Sequence, residues 1–296
     1  VTTSTIVFFH AHPDDEALIS AGTIARAVDA GHRVVLILAT DGGAGRCDPN
    51  LLGDGETLGQ RRWAEAEDSA AALGVSRIVH LGYSDSGFRP VLIPSTRRFR
   101  RLVGLVNSRL IPARFRHWPA GSLCAADPSE VAEKLASILS EEHAELLVAD
   151  DSIGGYGHPD HLAVHRSAAA ASAHLGIPFI QVTVEREFLT SSADLAKNLG
   201  LEVPKGFALP DMSRWYTPRS QITHTVDVSS CLSRKRLSMA AHQTQASTET
   251  NLSVRTMAVF LSFPDDIFEL AFGTEWFIVP DELPAQFSEL FSAVTT

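Results

Sequence analysis

The sequence predicts an α/β fold: a Rossmann-like, mostly parallel sheet flanked by helices, followed by a C-terminal elaboration. Three observations carry this expectation. Short apolar runs at residues 5–9, 34–38 and 144–149 read as strands, the one at 34–38 as a strand buried on both faces. The first two runs are separated by a helical stretch, and strand, helix and strand within about 35 residues make a βαβ unit with parallel strands. Two polar clusters follow two of these runs directly, at the carboxyl ends of strands where an open α/β sheet places its chemistry.

In chain order, the strand at 5–9 opens into His10-Ala11-His12-Pro13-Asp14-Asp15-Glu16. Pro13 disfavours a helical backbone at His12 and keeps it extended. Pro13 itself is tolerated in a first helical turn, which would put Asp14 and Asp15 where the positive end of the helix dipole favours carboxylates. Taken alone, acids after a proline also read as ordinary helix starters. Residues 17–31 place Leu18, Ala21, Ile24, Ala25 and Val28 at helical spacing, with Gly31 as the stop. A strand at 33–40 follows, then a Gly- and Asp-rich loop at 41–55 expected to rim the site. Its Asp41-Gly42-Gly43-Ala44-Gly45 lacks the Gly-Lys-Ser/Thr ending of a phosphate-binding loop.

Residues 56–74 read as a helix carrying Arg61, Arg62 and Glu65, and 77–81 as a third strand. Arg62 and Glu65 have the spacing of a surface ion pair. Gly82-Tyr83-Ser84-Asp85-Ser86-Gly87 suggests a serine nucleophile on a tight turn, but the GxSxG elbow fails because Ser86 occupies the place of its second glycine. Residues 89–127 are rich in arginine (Arg97, Arg98, Arg100, Arg101, Arg109, Arg114, Arg116) and broken by Pro94, Pro112 and Pro119. Such a run is usually a solvated face, and its place in the chain makes it a candidate lid. A helix at 128–143, started by Asp127 and Pro128, leads to the strand at 144–149.

The second cluster is Gly154-Gly155-Tyr156-Gly157-His158-Pro159-Asp160-His161, ahead of a helix ending near 175. Its glycines allow a tight turn and a close approach to a ligand. Two His-Pro-Asp sequences, both at strand-to-helix junctions, are hard to attribute to capping alone. A strand at 178–184 follows. In the last third we expect strands at 221–228 and 276–279 and a helix at 234–245. With no repeat and no low-complexity linker, a single domain over 1–296 is expected, with a core at 1–185 and the elaboration at 186–296.

The pair "AHPDDE" and "GGYGHPDH" resembles the zinc-dependent de-N-acetylase family that includes N-acetylglucosaminyl-phosphatidylinositol de-N-acetylase and the LmbE-like proteins. Within it, the chain looks most like bacterial enzymes that deacetylate an N-acetylglucosaminyl inositol or cleave mycothiol conjugates. The resemblance extends to Arg62 and Glu65, to "LGYSDSG" at 81–87 and to "AAHQTQ" at 240–245. It implies that Arg62 contacts substrate with Glu65 in support, and that Asp85 binds substrate hydroxyls.

Catalytic zinc takes three protein ligands and leaves a fourth position to water. His12, Asp15 and His161 supply that set, and the resemblance implies the same role for them. One zinc ion per chain is expected, with ferrous iron as the other candidate. Asp14, next to a ligand, is the expected general base. His158 and Tyr156 are expected to stabilise the oxyanion of a hydrolysed amide, and His158, if protonated, to donate to the leaving amine. Asp160 is expected to orient a histidine. His242 is a candidate to reach the substrate, although a lone histidine on an Ala-rich helix is more often structural. His165 lacks the HExxH context and reads as packing.

The formal net charge of -10 argues against generic nucleic-acid binding, and no apolar run approaches the roughly 18 residues of a membrane span. The first residues lack the charged and apolar regions of a signal peptide. Cys47, Cys124 and Cys231 are widely spaced without CxxC, which fits a reducing cytoplasm. The expected activity is metal-dependent hydrolysis of an N-acetyl amide on an amino sugar, glycoside or antibiotic precursor, with a small N-acylated sugar or conjugate as partner. The alternatives are an amidase of thiol conjugates and a non-catalytic sugar-binding protein. A nucleotide-binding protein is disfavoured, since HPDDE stands where GxGxxG would belong.

Overall fold

The computed structural model describes residues 3–88, 91–92, 116–198, 212–247 and 256–292. The arginines expected to form a lid fall mostly at 93–115, outside the described residues.

The N-terminal half alternates as expected. Strand β1 (Thr5–His10) leads to the short helix α1 (Asp15–Ile19) and to α2 (Ala21–Asp29). Then come β2 (Arg33–Thr40), α3 (Leu58–Leu73) and β3 (Arg77–Tyr83). A two-residue ribbon pairs β4 (Val91–Leu92) with β5 (Arg116–His117). Helix α4 (Pro128–Glu141) precedes β6 (Leu146–Asp150), α5 (Pro159–Leu175) and β7 (Phe179–Thr183). The C-terminal part comprises α6 (Arg186–Asn198), β8 (His224–Asp227), α7 (Leu232–Ala241), α8 (Gln243–Ala246), α9 (Thr256–Leu261), α10 (Asp265–Phe272), β9 (Thr274–Ile278) and α11 (Ala285–Ser288).

These strands form a seven-stranded sheet in the order β3-β2-β1-β6-β7-β9-β8. From β3 to β7 all pairs are parallel, and β9 pairs antiparallel with both β7 and β8. The apolar runs of β1, β2 and β6 are buried on both faces because helices cover both sides. One face packs Ile6, Phe8, Leu36 and Val148 with Ile24, and the other packs Val7, Phe9, Ile37 and Leu147 with Leu135 and Val164. The order reverses between β1 and β6, so the crevice beyond their carboxyl ends is the topological switch point.

Capping residues start the helices as the sequence implies. Thr57 and Gln60 form a reciprocal capping box on α3, and Asp127 accepts from the Ser129 N–H on α4. On β9, Glu275 accepts from the Gly22 and Thr23 N–H groups at 2.8 Å each and from Lys235 Nζ at 2.7 Å. A buried carboxylate at the start of α2 satisfies two orphan donors and meets the positive helix end. This contact ties the C-terminal strands to the N-terminal half.

Two expectations need correction. The helix at 17–31 is two helices broken at Ser20, whose hydroxyl meets His10 Nε2 at 2.8 Å. The helix at 234–245 breaks at His242, which has φ -79° and ψ 63°.

Candidate active site

Both His-Pro-Asp motifs lie in the switch-point crevice, but their local structures differ. In the second, His158 is the N-cap of α5 with Pro159 in its first turn, and the His158 ring accepts the Asp160 N–H at 3.2 Å. In the first, Pro13 does not begin the helix. Asp14 has φ 113°, a left-handed conformation costly for a residue with a Cβ, and α1 starts only at Asp15. Strain of about 1–3 kcal/mol at one residue persists only where its surroundings over-determine it. Here the Asp14 N–H donates to Glu16 Oε2 at 3.1 Å, and Glu16, wholly buried, also accepts from Ser69 and from His242 Nε2 at 2.6 Å each. Glu16 therefore anchors the turn that presents Asp14.

The structure brings His12, Asp15 and His161 together, with ligand atoms all within 4.8 Å of one another. Asp15 Oδ2 lies 3.5 Å from His12 Nδ1 and 3.6 Å from His161 Nε2, and it accepts the His12 N–H at 2.8 Å. The far nitrogens of both imidazoles are engaged by other carboxylates. His12 Nε2 meets Asp160 Oδ2 at 3.2 Å, and His161 Nδ1 lies 2.7 Å from Asp150 Oδ2. His161 Nε2 is buried without a hydrogen-bond partner. An orphaned imidazole nitrogen beside an ionised carboxylate is costly to leave unfilled, and two imidazoles plus a carboxylate are the donor set that catalytic zinc takes. The residues present fit a divalent metal.

A second grouping, His12 with Asp85, His158 and Asp160, also lies within that distance. There Asp160 already accepts from His12, from the Ser86 N–H at 2.9 Å and from the Cys124 thiol at 3.1 Å. We read it as the hydrogen-bonded backing of His12.

Electrostatics follow from burial among these charges. Burial opposes protonation of His161, but Asp15 and Asp150 outweigh it and push its pKa up to about 9. His12 is raised well above its ordinary value in the same way, with burial outweighed by Asp15, Asp160 and Asp85. Burial raises Asp14 to about 6, against the pull of Arg62. Burial and the neighbouring His12 and His161 push His158 down to about 3. With that shift the ring is neutral in the metal-free protein, so the condition set for His158 to donate as an imidazolium is not met there. Since Nδ1 accepts the Asp160 N–H, the proton of that neutral ring is on Nε2, which makes His158 a hydrogen-bond donor.

The other expected residues divide. Tyr156 is beside the cluster, with ring centroids 5.8 Å from His158 and 5.5 Å from His161. Asp85 Oδ1 lies 3.6 Å from His12 Nε2 and accepts the Gly87 N–H, while Oδ2 accepts the Ala44 N–H from the rim loop. Arg62 is not on the surface: it is buried, donates to the Gly42 carbonyl at 3.0 Å and lies 3.7 Å from Asp14 Oδ2. Glu65 does not pair with it but accepts from the Thr244 N–H and hydroxyl at 2.8 and 2.7 Å. His242 is wholly buried against Glu16, so it backs the Asp14 turn instead of facing a substrate. His165 meets the Asp150 carbonyl at 3.0 Å, in keeping with packing.

Sequence reasoning missed several residues. Asp150 accepts from His10 Nδ1 at 3.1 Å as well as facing His161, and an acid ending the strand before the glycine loop was its available signal. Asp151 accepts from the Ile153 and Gly155 N–H groups and from Thr183 and Thr217 hydroxyls, which fixes the loop. At Gly154, φ is +71° and a Cβ would come within 2.7 Å of Leu162, so the turn into α5 requires glycine.

Fold and site together define the class: an open α/β protein with a His–Asp–His donor set over the switch point of its sheet. The family model described as GlcNAc-PI de-N-acetylase matches residues 7–172, and the chain belongs to that family. It is 31% identical over 290 residues to a 1D-myo-inositol 2-acetamido-2-deoxy-alpha-D-glucopyranoside deacetylase of Kineococcus radiotolerans, covering 89% of this chain and 74% of the relative. Among solved structures it resembles an N,N'-diacetylchitobiose deacetylase from Pyrococcus horikoshii at TM-score 0.53 and 22% identity, covering 99% of this chain and 88% of that one. The zinc-inhibited form of a teicoplanin deacetylase is similar at TM-score 0.53 and 19% identity, over 95% of this chain and 100% of that one. At these identities the structural likeness establishes the fold. Among the described residues, no helix is long and apolar enough to cross a membrane.

Proposed function

We propose that this chain hydrolyses the N-acetyl amide of an amino sugar or its glycoside, releasing acetate and a free amine, with a divalent metal held by His12, Asp15 and His161. The observation that carries the reading is the buried His161 Nε2, without a hydrogen bond and 3.6 Å from Asp15, beside His12, with Asp14 on the adjoining turn. Membership in the de-N-acetylase family and the deacetylase relatives support the same chemistry. A metal in this set lowers the pKa of water toward about 7 and so supplies a nucleophile at neutral pH.

The chain's own groups supply the remaining steps. Asp14, ionised above about pH 6, accepts the proton of the attacking water. Arg62, 3.7 Å away, keeps that carboxylate anionic against its burial. His158 donates from Nε2 to the developing oxyanion, and the Tyr156 hydroxyl, whose pKa burial pushes above its ordinary value, is a second neutral donor. Asp160 and Asp150 fix the orientation of the two liganding imidazoles. The proton taken by Asp14 is available to the departing amine, so one residue serves in both halves of the reaction.

Zinc is the ion best matched to the donor set, and ferrous iron is the alternative. The similarity to a zinc-inhibited deacetylase makes the dose as informative as the ion. The test is acetate release from N-acetylglucosamine and its glycosides by chelator-stripped protein, and by the same protein reloaded with one equivalent of zinc or of ferrous iron under anaerobic conditions. Activity that disappears on stripping and returns on reloading supports the reading. Equal release by stripped protein, or none from any compound after reloading, contradicts it.

A further inference from the structure

Three large apolar side chains stand exposed among the described residues: Leu237 on α7, Leu270 on α10, and Phe88, at 51% exposure, in the turn after β3. Isolated exposed apolar groups are ordinary, but Phe88 is not isolated. Its ring lies 17° from parallel with that of Tyr156 at a centroid distance of 6.0 Å, and 5.6 Å from the His158 ring. Tyr156 in turn meets Trp215 at 5.8 Å. Three aromatic rings from three separate segments, after β3, after β6 and before β8, thus form one wall running from the imidazoles of the site out to solvent. Ligand sites combine such apolar walls with a few placed polar groups. Here Asp14, His158 and Asp85 are the polar groups and the wall is the unassigned part.

We infer that Phe88, Tyr156 and Trp215 form a stacking platform for the group attached to the acetamido sugar, and that this group is aromatic or alkyl rather than a cyclitol. The inference rests on the deacetylase reading and specifies its substrate class. Aromatic faces take planar rings and C–H edges. A cyclitol with a hydroxyl on every carbon needs hydrogen-bond partners along its rim, and Phe88, the exposed end of this wall, offers none. Covering Phe88 removes its exposed face from water, so Phe88 and Trp215 select through binding, without touching the reacting amide. Its effect belongs in KM.

The experiment compares steady-state acetate release from the methyl, 4-nitrophenyl, octyl and inositol glycosides of N-acetylglucosamine by metal-loaded wild type, Phe88→Ala and Trp215→Ala. A thermal melt of each variant checks that it folds. The expected result is a kcat/KM for the aryl and octyl glycosides about tenfold above that for the methyl and inositol glycosides, carried by KM, which corresponds to about 1.4 kcal/mol. Phe88→Ala should collapse most of that ratio, with Trp215→Ala acting in the same direction. Equal kcat/KM across the four glycosides, or a preference for the inositol glycoside, overturns the inference and leaves the deacetylase reading intact. So does a Phe88→Ala variant that lowers all four alike, since that is the mark of a structural role. No release from any glycoside overturns the deacetylase reading and this inference with it.

Discussion

Replacing Asp150 with asparagine isolates a part of the site that touches no substrate. Asp150 is 2% exposed, and its two oxygens face two imidazoles, His161 Nδ1 at 2.7 Å and His10 Nδ1 at 3.1 Å. Burial would raise its pKa, but His161 and His10 outweigh that and hold it below the ordinary carboxylate value, so both contacts are made to an anion. An asparagine of the same shape removes the charge and keeps only one acceptor oxygen for two imidazoles, so its N–H₂ must face either His161 or His10. In either orientation the His161 ring loses the anion that would polarise it toward a bound metal. Removing a carboxylate behind a liganding histidine typically costs about 10–100-fold in metal affinity, or about 1.4–2.8 kcal/mol. The assay is competition for zinc between the metal-free protein and a chelator of known affinity at fixed pH, with far-ultraviolet circular dichroism to check the fold. A zinc affinity for the folded variant within about twofold of wild type would refute the reasoning that Asp150 acts through His161.

Other predictions follow from the same geometry. Because His161 is raised to about 9 and His12 is raised as well, both are protonated in the metal-free chain at neutral pH. Zinc uptake should therefore release about one to two protons, and affinity should fall as pH drops; calorimetry in buffers of different ionisation heat counts them, and a count of zero is the contrary outcome. As a base, Asp14 must be ionised, so kcat/KM should fall as pH drops below its pKa of about 6. A bound cation lowers that value further, and a pH profile with an acid limb above about 7 would point to another base. Gly22→Ala should destabilise the fold by about 1–3 kcal/mol in chemical denaturation, because the new Cβ would come within 2.3 Å of Val228 Cβ; an unchanged midpoint would show that Val228, just after β8, yields easily.

The parallel part of the sheet was legible because its strands are buried on both faces and so read as continuous apolar runs. The C-terminal strands were located only approximately. β9 joins the sheet by pairing antiparallel with β7, and β8 by pairing antiparallel with β9; the β7–β9 contact joins distant parts of the chain that local patterning does not encode. That His12, Asp15 and His161 would come together was legible from residue type and junction position. The helix starts were not equally so: Pro159 begins α5 as its sequence implies, whereas Pro13 is followed by a strained Asp14 because Glu16 is pulled onto His242 and Ser69. The same long-range contacts explain why His242 and Glu65 carry scaffold and not substrate. Their partners lie 226 and 179 residues away, out of reach of any helical spacing argument.

The most direct test of the account compares acetate release from N-acetylglucosamine by wild type and Asp14→Asn, each assayed for metal content. The account predicts one metal per chain in both proteins and a loss of about 10²–10⁴ in kcat for the variant, the typical contribution of a positioned base. An Asp14→Asn protein that keeps its metal and turns over at near wild-type rate would contradict it.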